Sequence, residues 1–364
     1  MQGLALLGLL FVGACASIPR SVIGVDGDDI SARDVPGTQI RPIFVATTRA
    51  PASDEAVFYS SERGSLSFAR VDVSVPPLHQ TGKVERAQTL PPDPRKHFVA
   101  LDPHRFAGEN DFLSALNATL AKQPPGRRNA LIFVHGFNTA FDGALFRIAQ
   151  FAHDIDYPGV VVLFTWPSRG DATEYLYDLS SALTARDDLV HTFSLLSKSN
   201  ADSGDIVAHS MGNILTVEAL RQGVLEGTIG LDEKVNHIVL ASPDIDIDLF
   251  EKQIGKLPVD AYDFYVIISR DDKALALSKF LYGGVARVGA AEIEAFDRLG
   301  LTVVDLTEID DGDSSHTKFA GSPAIVKAIR ADLREGFSAA TQETAPPGVR
   351  IIERVVRRAS QIRQ

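Results

Sequence analysis

The stretch Asp205-Ile-Val-Ala-His-Ser-Met-Gly-Asn213 is a short apolar run that ends in Ala208-His209-Ser210-Met211-Gly212 and passes at once into an apolar, helix-forming segment. Small residues two places before and two places after Ser210 let the backbone turn sharply between a parallel strand and a helix, the geometry of a nucleophile elbow. Ala208 stands where glycine is commoner, a mild departure because the position needs a small side chain more than a positive φ. Such a turn lifts the Ser210 hydroxyl above the sheet. It also sets the Met211 N–H at a helix N-terminus, where unpaired donors and the helix dipole favour an oxyanion. Small-x-Ser-x-Gly alone occurs in many unrelated chains, so the reading depends on the segments around it.

Those segments alternate strand and helix. Upstream, Asn129-Ala-Leu-Ile-Phe-Val-His135 and Val160-Val-Val-Leu-Phe-Thr165 are nearly continuous apolar runs of strand length, as expected of parallel strands buried on both faces. A helix is expected between them over 141–154, and a helical period runs from Ala172 to Leu196. Downstream come a helix over 214–225, a strand over 235–241, strands at Phe264–Ile268 and Leu301–Leu306, and a last helix near Pro323 to Glu335. Nearer the start, Ile40–Ala46 and Leu66–Val75 read as strands, the second alternating like a half-buried edge. The proline-rich segment 76–94 is a loop, and Phe112 to Leu120 a helix. The alternation predicts an α/β fold with one doubly wound, mostly parallel sheet, whose ligand lies beyond the C-terminal ends of the strands.

Composition agrees with a soluble globular domain, since 364 residues with 45% hydrophobic and 23% charged residues suffice for a large core. A net charge of -11 argues against a nucleic-acid partner, which calls for a basic face. Cys15 is the single cysteine, so no disulfide forms within the chain. It follows the apolar run Leu4–Ala14, which is too short to span a bilayer but suits a signal peptide. Val12-Gly-Ala-Cys15 resembles a lipobox, with plain secretion as the alternative, because Met1-Gln-Gly3 carries no basic residue. The expected organisation is signal peptide over 1–15, tether over 16–39, catalytic domain over 40–335, and linker with tail over 336–364. The expected location is the cell envelope, either as an outer-membrane lipoprotein facing the periplasm or as a secreted protein. Arg350 to Gln364 reads as a short, basic amphipathic helix that could lie on an anionic membrane, or as a frayed tail.

Acyl transfer by serine needs a base for the hydroxyl proton, an acid to orient that base, and donors for the oxyanion. Ser210 is the candidate nucleophile. His316, in the polar loop Asp310-Asp-Gly-Asp-Ser-Ser-His316, is the best base among nine histidines. Asp271 and Asp272 compete as the acid, with Asp244 a third candidate. In the loop His135-Gly-Phe-Asn138 the Phe137 N–H is the second oxyanion donor beside Met211, Gly136 allows close approach of substrate, and His135 braces the loop. His209, beside the nucleophile, reads either as a packing residue or as a support for a group that touches the substrate. Phe141, Trp166 and Tyr177 are candidates to line an acyl pocket or simply to fill the core. This chemistry calls for no metal and no cofactor.

With these residues placed, the chain resembles a bacterial α/β-hydrolase family of formerly unknown function, often labelled esterase/lipase-like. The resemblance covers roughly residues 40–335. It rests on Phe44-Val-Ala-Thr-Thr-Arg49, Phe133-Val-His-Gly-Phe-Asn138, Phe164-Thr-Trp-Pro-Ser168, Tyr177-Asp178, Ala208-His-Ser-Met-Gly212, Ala241-Ser-Pro-Asp-Ile-Asp246, Asp272-Lys-Ala-Leu275 and His316. It implies that Asp272, three residues after Ser269, is the acid of a Ser210–His316–Asp272 triad. The expectation is a serine hydrolase of small carboxylic esters with short to medium acyl chains. No long apolar lid segment precedes the acid, which weakens a true lipase reading. An amidase or peptidase would use the same triad, and a non-catalytic envelope protein on the same fold is the rival from another class.

Overall fold

The continuous apolar runs become the inner strands of one ten-stranded sheet. The computed structural model describes residues 30–228, 234–259, 262–310, 316–335 and 345–352. Cys15, the signal segment, residues 16–29 of the tether, residues 336–344 and the tail beyond Ile352 lie outside the described residues, while residues 30–39 of the expected tether are described, with Ala32 buried. In chain order the first elements are β1 (Gln39–Pro51), β2 (Tyr59–Val75), β3 (Val99–Arg105), α1 (Glu109–Leu120), β4 (Asn129–Val134), α2 (Phe141–Asp154) and β5 (Val160–Thr165). The elbow region follows with α3 (Tyr175–Thr184), α4 (Arg186–Ser197), β6 (Ser203–His209) and α5 (Gly212–Glu226). Then come β7 (Val235–Ala241), α6 (Ile247–Ile254), β8 (Asp263–Ile268), α7 (Lys273–Leu281), β9 (Thr302–Asp305), α8 (Lys318–Gly321), α9 (Pro323–Glu335) and β10 (Arg350–Ile352).

Across the sheet the order is β10-β9-β8-β7-β6-β4-β5-β1-β2-β3. The seven strands from β9 to β1 are parallel, while β2 pairs antiparallel with β1 and β3, and β10 antiparallel with β9. Side chains alternate across each inner strand, so Ile132 and Val134 of β4 enter one apolar layer while Leu131 and Phe133 enter the other. The first layer is covered by α1, α4, α5 and α6 through Phe112, Leu189, Leu215 and Phe250. The second is covered by α2, α8 and α9 through Leu145, Phe319 and Ile325. Helices on both faces of a mostly parallel sheet are the doubly wound arrangement the sequence predicts, and the loops after β4, β6 and β8 meet at one end of it. Among the described residues no helix is long and apolar enough to cross a membrane.

Three local expectations are corrected. β2 has the expected alternation, with Val71, Val73 and Val75 in one layer, but the edge is β3, whose Pro103 suits a margin strand because proline cannot donate to the ladder. The period from Ala172 to Leu196 resolves into α3 and α4, which meet at Ala185. No Gly or Pro announces that break. The Thr184 hydroxyl donates back to the Ser180 carbonyl at 2.7 Å, a bond that bends helices. At the C-terminal side, Arg350, Ile351 and Ile352 pair with Asp305, Val304 and Val303 as a strand, so the helix expected from Arg350 does not begin there. Three residues fit a period of two as well as 3.6, and the open edge of β9 supplied the hydrogen bonds that decided it.

Candidate active site

The turn from β6 into α5 places Ser210 at φ 52°, in the left-handed region that non-glycine residues rarely occupy. The strain is held by a dense set of bonds. The Ser210 N–H donates to the Ala241 carbonyl (3.0 Å), and its own carbonyl accepts from the Asn213 and Asp244 backbone N–H groups at 3.0 and 3.2 Å. The Asn213 side-chain amide donates to the Ser210 and Ala241 carbonyls at 3.0 and 2.9 Å, tying the elbow to the end of β7. Sequence reasoning gave Asn213 no role, although it stands in the elbow motif.

Two glycines let the elbow meet the loop after β4. A side chain at Gly212 would bring its Cβ within 2.3 Å of the His135 carbonyl, and one at Gly136 within 2.8 Å of the Ser210 Cβ. The loop therefore passes against the serine as closely as backbone can. The backbone N–H groups of Phe137 and Met211 have no hydrogen-bond partner among the described residues, and both belong to segments in contact with Ser210.

The loop after β8 separates the candidate acids. Asp272 is buried and caps α7, its Oδ1 accepting from the Ala274 and Leu275 N–H groups at 2.9 and 3.0 Å. Its Oδ2 lies 2.7 Å from His316 Nδ1. Asp271 turns the other way, accepting from Ser269 Oγ (2.5 Å) and from Lys318 Nζ (3.0 Å to each oxygen). Lys318 is itself buried and also donates to the Leu306 carbonyl at 3.1 Å, so it locks the acid loop to α8 just beyond His316. Asp244 pairs with Arg287 Nε (2.7 Å) and accepts from the Tyr175 and Ser278 hydroxyls at 2.6 Å each. Only Asp272 of the three candidates is bonded to His316.

The other two histidines near the serine are unsuited to be bases. His135 is fully enclosed, and burial followed by the nearby Arg49 charge pushes its pKa down to about 3. Its Nδ1 donates to the Gly136 carbonyl (2.9 Å), while Nε2 accepts from the Trp166 N–H (3.2 Å). His209 is pushed well below the ordinary range by burial and then by His316, and its Nε2 bonds to the His316 carbonyl at 3.1 Å. It packs between the rings of His316 and Phe319, in keeping with a packing role.

Trp166 does not line a pocket. It is fully buried, stacked on His135 at 4.9 Å between ring centroids, and its Nε1 donates to the His135 carbonyl at 2.9 Å, so the assignment to substrate binding is corrected to bracing of the loop. Phe141 packs with Tyr59 in the layer under α2, and Tyr177 lies against Arg63 and Arg169. The sequence missed two further braces. Buried Arg49 donates to the Thr139 and Ser168 carbonyls at 2.7 and 3.1 Å. Buried Asp178 accepts from Ser168 Oγ (2.5 Å) and from the Asn138 N–H (3.2 Å), and desolvation raises its pKa. Ser210 and His316 instead share a cleft with Phe137, Tyr175, Leu277 and Leu281. Its surface is mainly apolar, and the Tyr175 ring is fixed by the Asp244–Arg287 pair behind it.

A family model described as "Alpha/beta hydrolase of unknown function (DUF900)" matches residues 109–333. The chain belongs to this family. The DUF900 match runs from α1 into α9 and includes Ser210, Asp272 and His316, whereas β1 to β3 with Arg49, and β10, lie outside it. Solved structures similar to this DUF900 chain include Aspergillus fumigatus lipase B, at 13% identity over 66% of this chain and 60% of that one, with a TM-score of 0.41. An esterase of Pyrobaculum calidifontis matches at 12% identity, 85% and 87% coverage and a TM-score of 0.35. A structure from an analysis of two fungal esterases from Rhizomucor miehei matches at 12%, 90% and 87%, with 0.37. The DUF900 chain spans 60% of the length of the lipase it matches. Comparison with curated proteins finds no match. At these scores the family model and the strand order, rather than the structural likenesses, carry the assignment to the α/β-hydrolase fold.

Proposed function

We propose that this α/β hydrolase is a serine esterase that cleaves carboxylic esters of short to medium acyl chain through an acyl-enzyme. Ser210 Oγ attacks the ester carbonyl as His316 Nε2 takes its proton, and the same proton passes to the departing alcohol. A water then attacks the acyl-serine, His316 again taking and returning a proton, and the carboxylic acid leaves. Asp272 holds the Nδ1–H of His316, which fixes the tautomer with Nε2 free and stabilises the imidazolium. The Phe137 and Met211 N–H groups receive the oxyanion, a function worth about 3–4 kcal/mol for one donor. The observation that carries this reading is the 2.7 Å bond between Asp272 and His316 in the same cleft as the left-handed Ser210. Apolar side chains around that cleft favour an acyl group over a charged substrate.

A fluorophosphonate probe and a p-nitrophenyl ester series test the reading together. The wild-type chain should be labelled at Ser210 and hydrolyse the esters. Ser210→Ala should lose labelling and at least about a thousandfold in kcat while remaining folded, since only oxyanion and binding effects survive loss of the nucleophile. Labelling that persists in the variant, or folded wild type that neither labels nor turns over, would overturn it.

A further inference from the structure

Away from the serine, the proline-rich segment after β2 folds back onto the last turn of α2 and buries a cluster of histidines and carboxylates. The His79 side chain is 7% exposed and that of Asp154 2%. His79 Nε2 lies 2.7 Å from Asp154 Oδ1, and Nδ1 lies 2.8 Å from Glu85 Oε2. His153 turns its ring toward His79, with centroids 5.3 Å apart, and its Nδ1 is buried with no hydrogen-bond partner among the described residues. One ligating atom from each of His79, His153 and Asp154 falls within 4.8 Å of the other two.

A buried imidazolium between two carboxylates would account for His79, Glu85 and Asp154, but not for His153. An orphaned imidazole nitrogen in a buried polar cluster is costly unless something receives its lone pair. The outer partners are also those of a metal centre. A ligating histidine usually donates its second ring N–H to a carboxylate, as His79 can to Glu85, and a ligating carboxylate is itself hydrogen-bonded. Asp154 Oδ2 accepts from the Gly82 N–H at 2.7 Å and from the Gln150 amide at 2.6 Å.

We infer that His79 Nε2, His153 Nδ1 and Asp154 Oδ1 form a binding site for a divalent first-row cation of the zinc class. Two imidazoles and one carboxylate suit zinc, with water completing a tetrahedron, and disfavour calcium and magnesium, which take oxygen ligands. The cation replaces the proton between His79 and Asp154, which leaves to solvent. Its place is structural. It joins the loop carrying His79 to α2, and Gln150, which orients Asp154, also donates to the Ala320 carbonyl at 3.0 Å, two residues beyond Lys318 in α8.

The test uses the untagged full chain stripped with chelator and titrated with Co²⁺ and, separately, Zn²⁺. The inference expects one equivalent bound per chain, a visible Co²⁺ absorption of tetrahedral type, and a Tm that rises with Zn²⁺. His153→Ala should weaken binding by at least tenfold, and Glu85→Gln by about 10- to 100-fold, the usual effect of losing an orienting partner. His153→Ala removes a side chain with no hydrogen bond from Nδ1, so its metal-free fold should survive and be verifiable by circular dichroism. Absence of stoichiometric binding to the wild type, or binding and Tm shifts unchanged in folded His153→Ala, would overturn the site. These readouts are independent of ester hydrolysis.

Discussion

Asp271 and Asp272 are separated by one peptide bond and face opposite partners, Lys318 and His316 respectively. Asp272→Asn should therefore lower kcat by about a thousandfold or more, because an amide opposite Nδ1 favours the wrong imidazole tautomer. It should leave the Tm close to wild type. Asp271→Asn should do the reverse, leaving kcat within a few-fold and costing roughly 1–3 kcal/mol through the buried lysine it leaves half-satisfied. Paired ester kinetics and thermal melts on the two variants decide the matter, and kcat lost mainly in Asp271→Asn would move the acid. Residue order alone left this pair open, because which carboxylate turns inward depends on the register of the cap on α7. The resemblance of Asp272-Lys-Ala-Leu275 to a family motif made the choice legible.

At the level of elements, α7 connects the acid to the cleft. Asp272 caps it, Leu275 is buried, and Leu277 and Leu281 line the cleft while remaining about 60% exposed. On the proposed esterase reading, an acyl chain longer than the cleft would lie along this face. Leu277→Ser combined with Leu281→Ser should reduce kcat/KM for an octanoate ester by about 10- to 100-fold, given roughly 1.5–3 kcal/mol for burying a leucine side chain. Acetate, which ends before the helix, should change less than about threefold. An equal loss on both esters would remove α7 from acyl recognition.

The sequence foresaw α2, β5, β7 and α9 at their observed limits, because long uniform periods and apolar runs survive any tertiary context. It did not foresee α7 or α6, short helices capped by Asp272 and Asp246. It also sent Trp166 to the substrate, since an aromatic after a strand looks the same whether it faces a cleft or stacks on a buried histidine. Arg49, Asp178 and Asn213 brace loops across long sequence separations, and only the fold brings their partners to them.

For the whole molecule, the buried histidines set the response to acid. His135 has a folded pKa of about 3 against an ordinary value near 6.5, and His209 is shifted the same way. Above pH 6.5 both states hold these rings neutral, and they add no pH dependence. Below it the unfolded chain binds protons that the native fold refuses, so stability falls as pH falls, down to about 3 for His135. Each ring contributes up to about 1.4 kcal/mol per pH unit. In the metal-free protein burial lowers His153, whereas His79, despite its burial, is raised by bonds to Asp154 and Glu85, and these two oppose each other. Urea midpoints should therefore drop clearly between pH 7 and pH 5, and a flat profile would count against neutral His135 and His209 in the core.

The strand order described above has a consequence for biosynthesis. Across the sheet, position follows chain order except for the reversal of β1 to β3 and the exchange of β4 with β5. From β5 onward a ribosome thus extends the sheet toward the β10 margin, each new strand finding a neighbour already made, whereas β4 must wait for β5 and β6. Ser210 emerges with β6 near the middle of this sequence, whereas Asp272 waits for β8, and His316 is translated after β9. On the roles proposed, a nascent chain carries its nucleophile for the whole interval without a base to deprotonate it. On that reading the three groups are all present only once every strand but β10 has been translated, so the nucleophile stays without its base while the core is still open.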